Sequence, residues 1–294
     1  MPKYMFLAAF DFLSPVGFHL EKQLSKYAVG EYLLNVFYNL TVDGFLVSFP
    51  KCGRTWVRLM LGKAFATHFE LDVSSAALLD IEHLSLKRRG IPRIHVTHDK
   101  ANIRLPHELK MNRTKYRGKK VIFLVRDPRD VIVSHYFQVT RRRRNKYFSG
   151  DMSTFIHHEH YGIERILRFM NIWYHQQNVP SGFLLVRYED LKASPHNELK
   201  KIVTFLGLSG VREKTLRDAV EFTHFENMKK MERDGVLHSR KLQPRDLDDP
   251  ETYKVRKGLV GGYRAYLSED DIVYLNRKIE TELEAAFGYG GHYS

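Results

Sequence analysis

Along this chain, short apolar runs alternate with longer stretches of helical periodicity. Phe45-Leu46-Val47-Ser48-Phe49 is brief, almost unbroken and stopped by Pro50, the form taken by a strand buried on both faces. From Thr55 onward Leu59, Phe65 and Phe69 recur at helical spacing with Trp56, Met60 and Leu61 around them, so the strand feeds a turn and then a helix. Val121-Ile122-Phe123-Leu124-Val125 repeats the pattern and leads to Asp127 as N-cap, with Pro128 at the first helical position. Phe183-Leu184-Leu185-Val186 predicts a third strand, and Ser194-Pro195 opens a helix that ends near Gly207. Near the C-terminus, Ser268 and Asp271 read as a capping box. The following Ile272, Leu275, Ile279, Leu283 and Phe287 make one apolar helical face before Gly288.

Strands that alternate with helices predict an α/β fold: a central parallel sheet flanked by helices, with ligands bound beyond the carboxyl ends of the strands. With no internal repeat, low-complexity tract or linker, residues 1–294 read as a single domain. Residues 1–43 precede the first strand without a motif, and 44–288 carry the motifs. Composition adds that 43% of residues are apolar and 28% charged, enough for a sizeable core. The single Cys52 excludes an intrachain disulfide and the Cys-based zinc and iron–sulfur frameworks. Lys and Arg total 47 against 34 Asp and Glu, and the net charge of +13 turns attention to anionic partners. No uncharged apolar run reaches the ~18 residues that a membrane span requires. Asp11 interrupts the Met5–Leu13 stretch, so no transmembrane segment and a cytoplasmic location are expected. Asn39-Leu40-Thr41 and Asn112-Arg113-Thr114 fit glycosylation acceptors, which that location discounts.

The first strand–turn–helix carries the clearest chemistry. In Pro50-Lys51-Cys52-Gly53-Arg54-Thr55-Trp56 a cation, a glycine and a hydroxyl meet at a helix N-terminus, where free backbone N–H groups and the helix dipole favour a phosphate-like anion. The turn is P-loop-like, yet the ending G-K-[ST] of the Walker sequence is absent, which disfavours an ATP or GTP hydrolase. A second constellation pairs Arg126, leaving the end of a strand, with Ser134 on the first two turns of the next helix, so that two donors converge on one anion. Asp127 reads as a helix cap, and Arg129 and Asp130 as a solvated pair. A third places Arg256 and Lys257 before Gly258, two cations suited to a dianion beside a glycine that lets backbone approach closely.

Together these motifs resemble the sulfotransferase family. The turn is similar to the family's P-K-x-G-T-T-W loop at Pro50, Lys51, Gly53, Thr55 and Trp56, with Arg54 in place of a threonine. Val125 to Ser134 resembles its 3′-phosphate motif through Arg126 and Ser134. Arg256-Lys257-Gly258-Leu259-Val260-Gly261 resembles R-K-G-x-x-G, although Gly262-Tyr263 follow where the family often has Asp-Trp. Arg187-Tyr188-Glu189-Asp190-Leu191 resembles Y-E-D-L, whose tyrosine borders the adenine, and Thr223-His224-Phe225 falls at another adenine contact. For Phe225, core packing is an equal alternative. The resemblance implies 3′-phosphoadenosine 5′-phosphosulfate (PAPS) as co-substrate, adenosine 3′,5′-bisphosphate (PAP) as product, and no metal.

It also implies a general base. Pro92-Arg93-Ile94-His95-Val96-Thr97-His98 is similar to a family segment ending in K-T-H, which aligns His98 with the base, while Val96 replaces a lysine found there. A neutral histidine is available near pH 7. Lys51 is then the group that follows charge onto the leaving phosphate, assisted by Arg54 and Thr55. Asp99 either orients His98, binds an acceptor hydroxyl, or caps a loop. His95 and His98 fall on opposite strand faces, which lowers a metal-site reading. His157, His158 and His160 lack metal-ligand spacing and read as surface.

Two other function classes compete. Arg141-Arg142-Arg143-Arg144-Asn145-Lys146 could contact nucleic acid or an anionic surface, which would make the chain a binding protein. A nucleotide-dependent kinase on a related sheet is the other. Neither needs His98 together with three phosphate motifs, so a sulfotransferase is expected and no nucleic-acid partner. The arginine run is then expected on the acceptor side, drawing in an anionic or sugar-rich acceptor. The acceptor bears a hydroxyl or amine and is a sugar, a lipid or another small molecule.

Overall fold

A computed structural model describes residues 33, 36–38, 40–142, 148–237 and 243–291. Met5–Leu13, Asn39 and Arg143 to Lys146 lie outside the described residues. Four parallel strands, β1 (Gly44–Ser48), β2 (Ile94–Thr97), β3 (Lys120–Val125) and β4 (Gly182–Arg187), form one sheet in the order β2-β1-β3-β4. β1 sits between two partners, with Val47 opposite Thr97 on one side and Phe123 on the other. All five of its residues are buried, which is why the run Phe45–Ser48 shows no polar alternation.

The helices follow as α1 (Arg54–His68), α2 (Ile81–Lys87), α3 (Pro128–Phe137), α4 (Met152–His157), α5 (Ile163–His175), α6 (Tyr188–Ala193), α7 (Pro195–Leu206), α8 (Glu213–Phe222), α9 (Phe225–Arg233) and α10 (Glu269–Glu282). The strand and helix periodicities in the sequence thus mark β1–α1, β3–α3 and α7 to within a residue or two. Core aromatics hold α5 to the sheet: Phe123 of β3 stacks on Trp173 with ring centroids 5.5 Å apart and meets Phe169 at 5.8 Å. Each such side chain contributes about 1.5–3 kcal/mol through removal from water. The chain turns at β1–α1 and β3–α3 lie side by side beyond the carboxyl ends of adjacent strands, where an open parallel sheet forms its crevice.

Three expectations need correction. α10 ends at Glu282, so Leu283 and Phe287 extend its buried face from beyond the helix, Phe287 in a single 3₁₀ turn. Only half of the capping box forms: Ser268 Oγ accepts from the Asp271 amide at 3.1 Å, whereas the Asp271 carboxylate accepts from the Ser153 hydroxyl at 2.8 Å. Arg129 and Asp130 are not a solvated pair, being 2% and 3% exposed. Arg129 forks onto Asp127, with Nε to Oδ1 and Nη2 to Oδ2 both 2.9 Å, because a buried guanidinium must fill its donors. Asp127 also caps α3 as expected, accepting from the Arg129 amide at 2.9 Å.

Candidate active site

The turn after β1 is bent in a way the sequence pays for only with a purpose. Lys51 has φ 77°, in the left-handed region where a residue with a Cβ is strained by about 1–3 kcal/mol. Gly53 follows at φ 92°, and a Cβ there would come within 2.7 Å of the Tyr188 ring. The turn therefore needs glycine for both its dihedral and its contact with α6. Cys52 points the other way, buried in the core with its thiol pushed up to about 12 by burial, so it stays protonated. α1 begins without a side-chain cap, which leaves its first amides and its dipole to whatever occupies the space in front.

That space is a cavity of about 770 Å³ lined by every residue expected to bind the donor or act in transfer: Lys51, Gly53, Arg54, Thr55, Trp56, His98, Arg126, Ser134, Tyr188, Thr223, Phe225, Arg256, Lys257 and Gly258. At one end Arg126 lies over the Tyr188 ring at 4.3 Å, pairs with Asp130 at 3.2 Å and donates to the Leu259 carbonyl at 2.9 Å. Asp130 in turn accepts from the amides of Gly261 and Tyr263 at 3.0 and 2.9 Å. Arg126 and Asp130 together clamp the Arg256–Tyr263 loop onto α3. Arg256 is engaged too, donating to Glu251 at 2.8 Å and to the Tyr266 hydroxyl at 2.5 Å while its guanidinium covers Phe137. Lys257 is exposed, with its ammonium over Tyr266.

Trp56 and Tyr188 meet edge to face at 5.8 Å, and Lys192 lies about 6 Å from the rings of both Trp56 and Phe225. Phe225 is half-buried and faces the cavity, and a Cβ on Gly258 would come within 2.6 Å of its ring. Thr223 is buried, and its hydroxyl donates to the Ala219 carbonyl of its own helix at 2.9 Å.

At the other end lie His98 and Lys51. His98 Nδ1 is 2.8 Å from the Ser48 carbonyl oxygen. A carbonyl only accepts, so Nδ1 carries the proton and Nε2 is left as the basic nitrogen. Burial, then the charges of Arg54 and Lys254, hold this imidazole well below the usual histidine range, so it is neutral throughout physiological pH. Lys51 Nζ donates to Gln138 Oε1 at 3.2 Å, and the same oxygen accepts from Arg142 at 3.1 Å. Burial, followed by Arg142 and Lys254, lowers Lys51 well below an ordinary lysine. Burial and neighbouring arginines also push Lys254 down to about 7.

Asp99 does not orient His98. Buried at φ 47°, it pairs with Arg113 at 2.9 Å and Lys115 at 2.7 Å and so anchors the loop after β2. His95 faces away, 2.9 Å from Glu82 and packed on Tyr38. In the described part of the arginine run Arg141 is exposed, whereas Arg142 reaches into the cavity with its side chain 6% exposed, 3.6 Å from Glu232. Among the histidines set aside as surface, His157 packs on Tyr274, and His158 Nδ1 accepts from the His160 amide at 3.0 Å.

Sequence reasoning missed Arg58, Gln138 and Lys254, which line the cavity, and had Arg142 only as one member of a run expected on the acceptor side. It also missed Glu189, which accepts from the Asp127 amide at 2.9 Å and the Tyr289 hydroxyl at 2.7 Å, tying α6 to the β3–α3 turn. Two signals were available. Ser134, Gln138 and Arg142 are spaced by four, as on one face of a helix, and Lys254 stands two residues before Arg256, within the same cluster of cations.

Residues 42–287 match the Sulfotransferase domain family. The chain belongs to that family. Membership makes it a PAPS-dependent sulfotransferase, a transferase that acts on nucleotide-activated sulfate. Among its relatives are cytosolic sulfotransferase 17 of Arabidopsis thaliana, 24% identical over 82% of this chain and 74% of that protein. Sulfotransferase 1B1 of Mus musculus is 26% identical over 82% of this chain and 84% of that one. The fold of this sulfotransferase is also that of a mouse sulfotransferase solved with PAP, at TM-score 0.56 and 20% identity over 84% of this chain and 88% of the other. Retinol dehydratase, solved with androsterone and PAP, gives TM-score 0.57 and 19% identity over 82% and 80%. No helix among the described residues is long and apolar enough to cross a membrane.

Proposed function

We propose that this sulfotransferase moves a sulfuryl group from PAPS to an acceptor hydroxyl or amine by in-line transfer, with His98 as general base and Lys51 neutralising the leaving phosphate. One observation carries the reading: a neutral His98, fixed by Ser48 as the Nε2-basic tautomer, shares a cavity with Lys51 and the uncapped start of α1. The residues present fit the donor. Arg54 Nη1 and Arg126 Nε are buried without a hydrogen-bond partner, donors that an anion would satisfy. Thr55 and the α1 amides would hold the 5′-phosphosulfate. Arg126, Ser134, Arg256, Lys257 and Gly258 would hold the 3′-phosphate, and Trp56, Tyr188, Thr223 and Phe225 would border the adenine.

PAPS supplies, when bound, the activated sulfuryl group and a phosphate as its leaving group. The chain supplies the rest. His98 Nε2 takes the acceptor proton without first losing one of its own, because its burial keeps it unprotonated. Burial and like-charged neighbours disfavour the Lys51 ammonium in the empty cavity, and negative charge developing on the leaving oxygen would compensate it, so the cation is best stabilised where transfer needs it. Arg54, pushed down to about 9 by burial, remains a cation at neutral pH and assists. Asp99 has no part in the proton transfer. The chain acts as a single domain and, like the cytosolic sulfotransferase 17 named above, in the cytosol.

Thermal unfolding tests the donor site. PAP at a hundredfold excess over its Kd stabilises the folded state by about 2.7 kcal/mol. Adenosine 5′-monophosphate and ATP at the same concentration give much smaller shifts, and the PAP shift is lost in Arg126→Ala. An equal response to all three nucleotides would overturn the reading.

A further inference from the structure

The cavity holds more positive charge than the donor motifs use. Lys51, Arg54, Arg126, Arg256 and Lys257 fall to the donor, and Lys192 lies by the rings of Trp56 and Phe225 at the adenine end. Arg58, Arg142 and Lys254 remain, and no donor motif contains them. They gather at the transfer end. Arg142 is joined to Lys51 through Gln138, and Lys254 lies near enough to His98 and Lys51 to disfavour protonation of both.

For Arg58 and Lys254 the compensation is thin. Glu232 is the carboxylate closest in charge to Arg142 and Lys254, and its two oxygens already accept from the backbone amides of Lys254 and Val255 at 2.5 and 2.7 Å. Arg142 lies 3.6 Å from Glu232 and also donates to Gln138. Arg58 lies in the field of Asp80 and Glu82 without an ion pair to either among the described residues, and its Nε is buried without a partner. The Lys254 ammonium forms no ion pair with a carboxylate among the described residues, and Lys254 lines the same cavity. Like charges gathered in a shielded cavity repel one another and wait for an anion.

We propose that the transfer end binds an acceptor that itself carries an anionic group, a carboxylate, sulfate or phosphate, held by Arg58, Arg142 and Lys254 while its hydroxyl or amine faces His98. This rests on the sulfotransferase reading of the same cavity and names the substrate class for it. Charge recognition here does the work that an apolar pocket does for neutral acceptors: the anion fixes the orientation, and neutral molecules of the same shape leave buried cations uncompensated.

The test uses the full chain saturated with PAP, so that the donor site is filled, and calorimetric titration of matched probes. One arm compares 4-hydroxyphenylacetate with 4-hydroxyphenylacetamide, and a second compares glucose 6-phosphate and glucuronate with glucose. In at least one arm the anionic member binds ten times more tightly or better than its neutral counterpart. Lys254→Met brings that ratio toward one, Lys254→Arg restores it, and both variants bind PAP as the native chain does. The arm that responds says whether the acceptor is aryl or sugar-like. Equal binding of charged and neutral members, no binding by any anionic probe, or a ratio unchanged in Lys254→Met would overturn the proposal. Failure of PAP itself to bind would instead sink the donor assignment on which it stands.

Discussion

The two ends of the cavity solve the problem of buried cations in opposite ways. At the Arg126 end each guanidinium has a carboxylate: Arg126 pairs with Asp130 at 3.2 Å and Arg256 with Glu251 at 2.8 Å. Burial opposes the charge of Arg126, but Tyr188, Asp130 and Glu189 outweigh it and the group is held above its ordinary value. At the His98 end Lys51, Arg54, Arg58, Arg142 and Lys254 are all held below theirs. The first end is preorganised, with its loop already clamped onto α3 through Asp130. The second stores repulsion that an arriving anion relieves. A site that must hold one nucleotide firmly and then stabilise charge that appears during transfer gains from this division, because interactions strengthened only in the transition state accelerate the reaction.

Breaking the transfer end has the largest expected effect. His98→Asn removes the basic nitrogen and lowers the rate of PAPS consumption, in the presence of the aryl and sugar acceptors above, by about 10²–10⁴-fold. PAP affinity stays within a few fold, which calorimetry checks. For the native chain the acid limb of kcat/KM falls well below pH 6.5, since the folded imidazole titrates below the usual histidine range. An acid limb centred at 6.5 would show His98 to be an ordinary exposed imidazole.

Next comes the turn that both ends share. Gly53→Ala forces a Cβ against the Tyr188 ring at a φ of 92° and shifts the turn that carries Lys51 and Thr55. At a cost of about 1–3 kcal/mol, PAP affinity falls by about tenfold or more. An unaltered affinity would mean that the turn does not touch the nucleotide.

The smallest effect concerns stability. Lys254 titrates near 7 in the folded chain and near 10.5 when unfolded. Between those values the unfolded state binds more protons, so the native chain gains stability as pH rises from 7 toward 10.5 and carries the full penalty below 7. Lys254→Met therefore raises the melting temperature by a few degrees at pH 6, and the gain shrinks toward pH 10. Melting curves at the two pH values check the sign: a gain that grows with pH would contradict it.

What could be read from the sequence was what local patterning controls. β1, β3 and their turns follow from apolar runs that end at Pro50 and Asp127, and the donor residues of each motif lie within nine positions of one another. Asp130 was misread because its partners, the amides of Gly261 and Tyr263, are more than a hundred residues away, and only the folded chain brings them together. Arg142 was legible only as one of four arginines expected on the acceptor side, because a run of cations does not say which member enters the cavity. Asp99 remained ambiguous beside His98 because its partners, Arg113 and Lys115, arrive from a loop with no motif of its own.

The division between the two ends is tested most directly by titrating PAP into the native chain, Arg126→Ala and Lys254→Met under one set of conditions. The expected result is a loss of about thirtyfold or more in affinity for Arg126→Ala, since truncating one member of a buried charge pair costs about 2–5 kcal/mol. Lys254→Met stays within about threefold of the native chain on the same scale. Comparable losses in both variants, or a larger loss in Lys254→Met, would show that Lys254 belongs to the nucleotide site and would contradict the account.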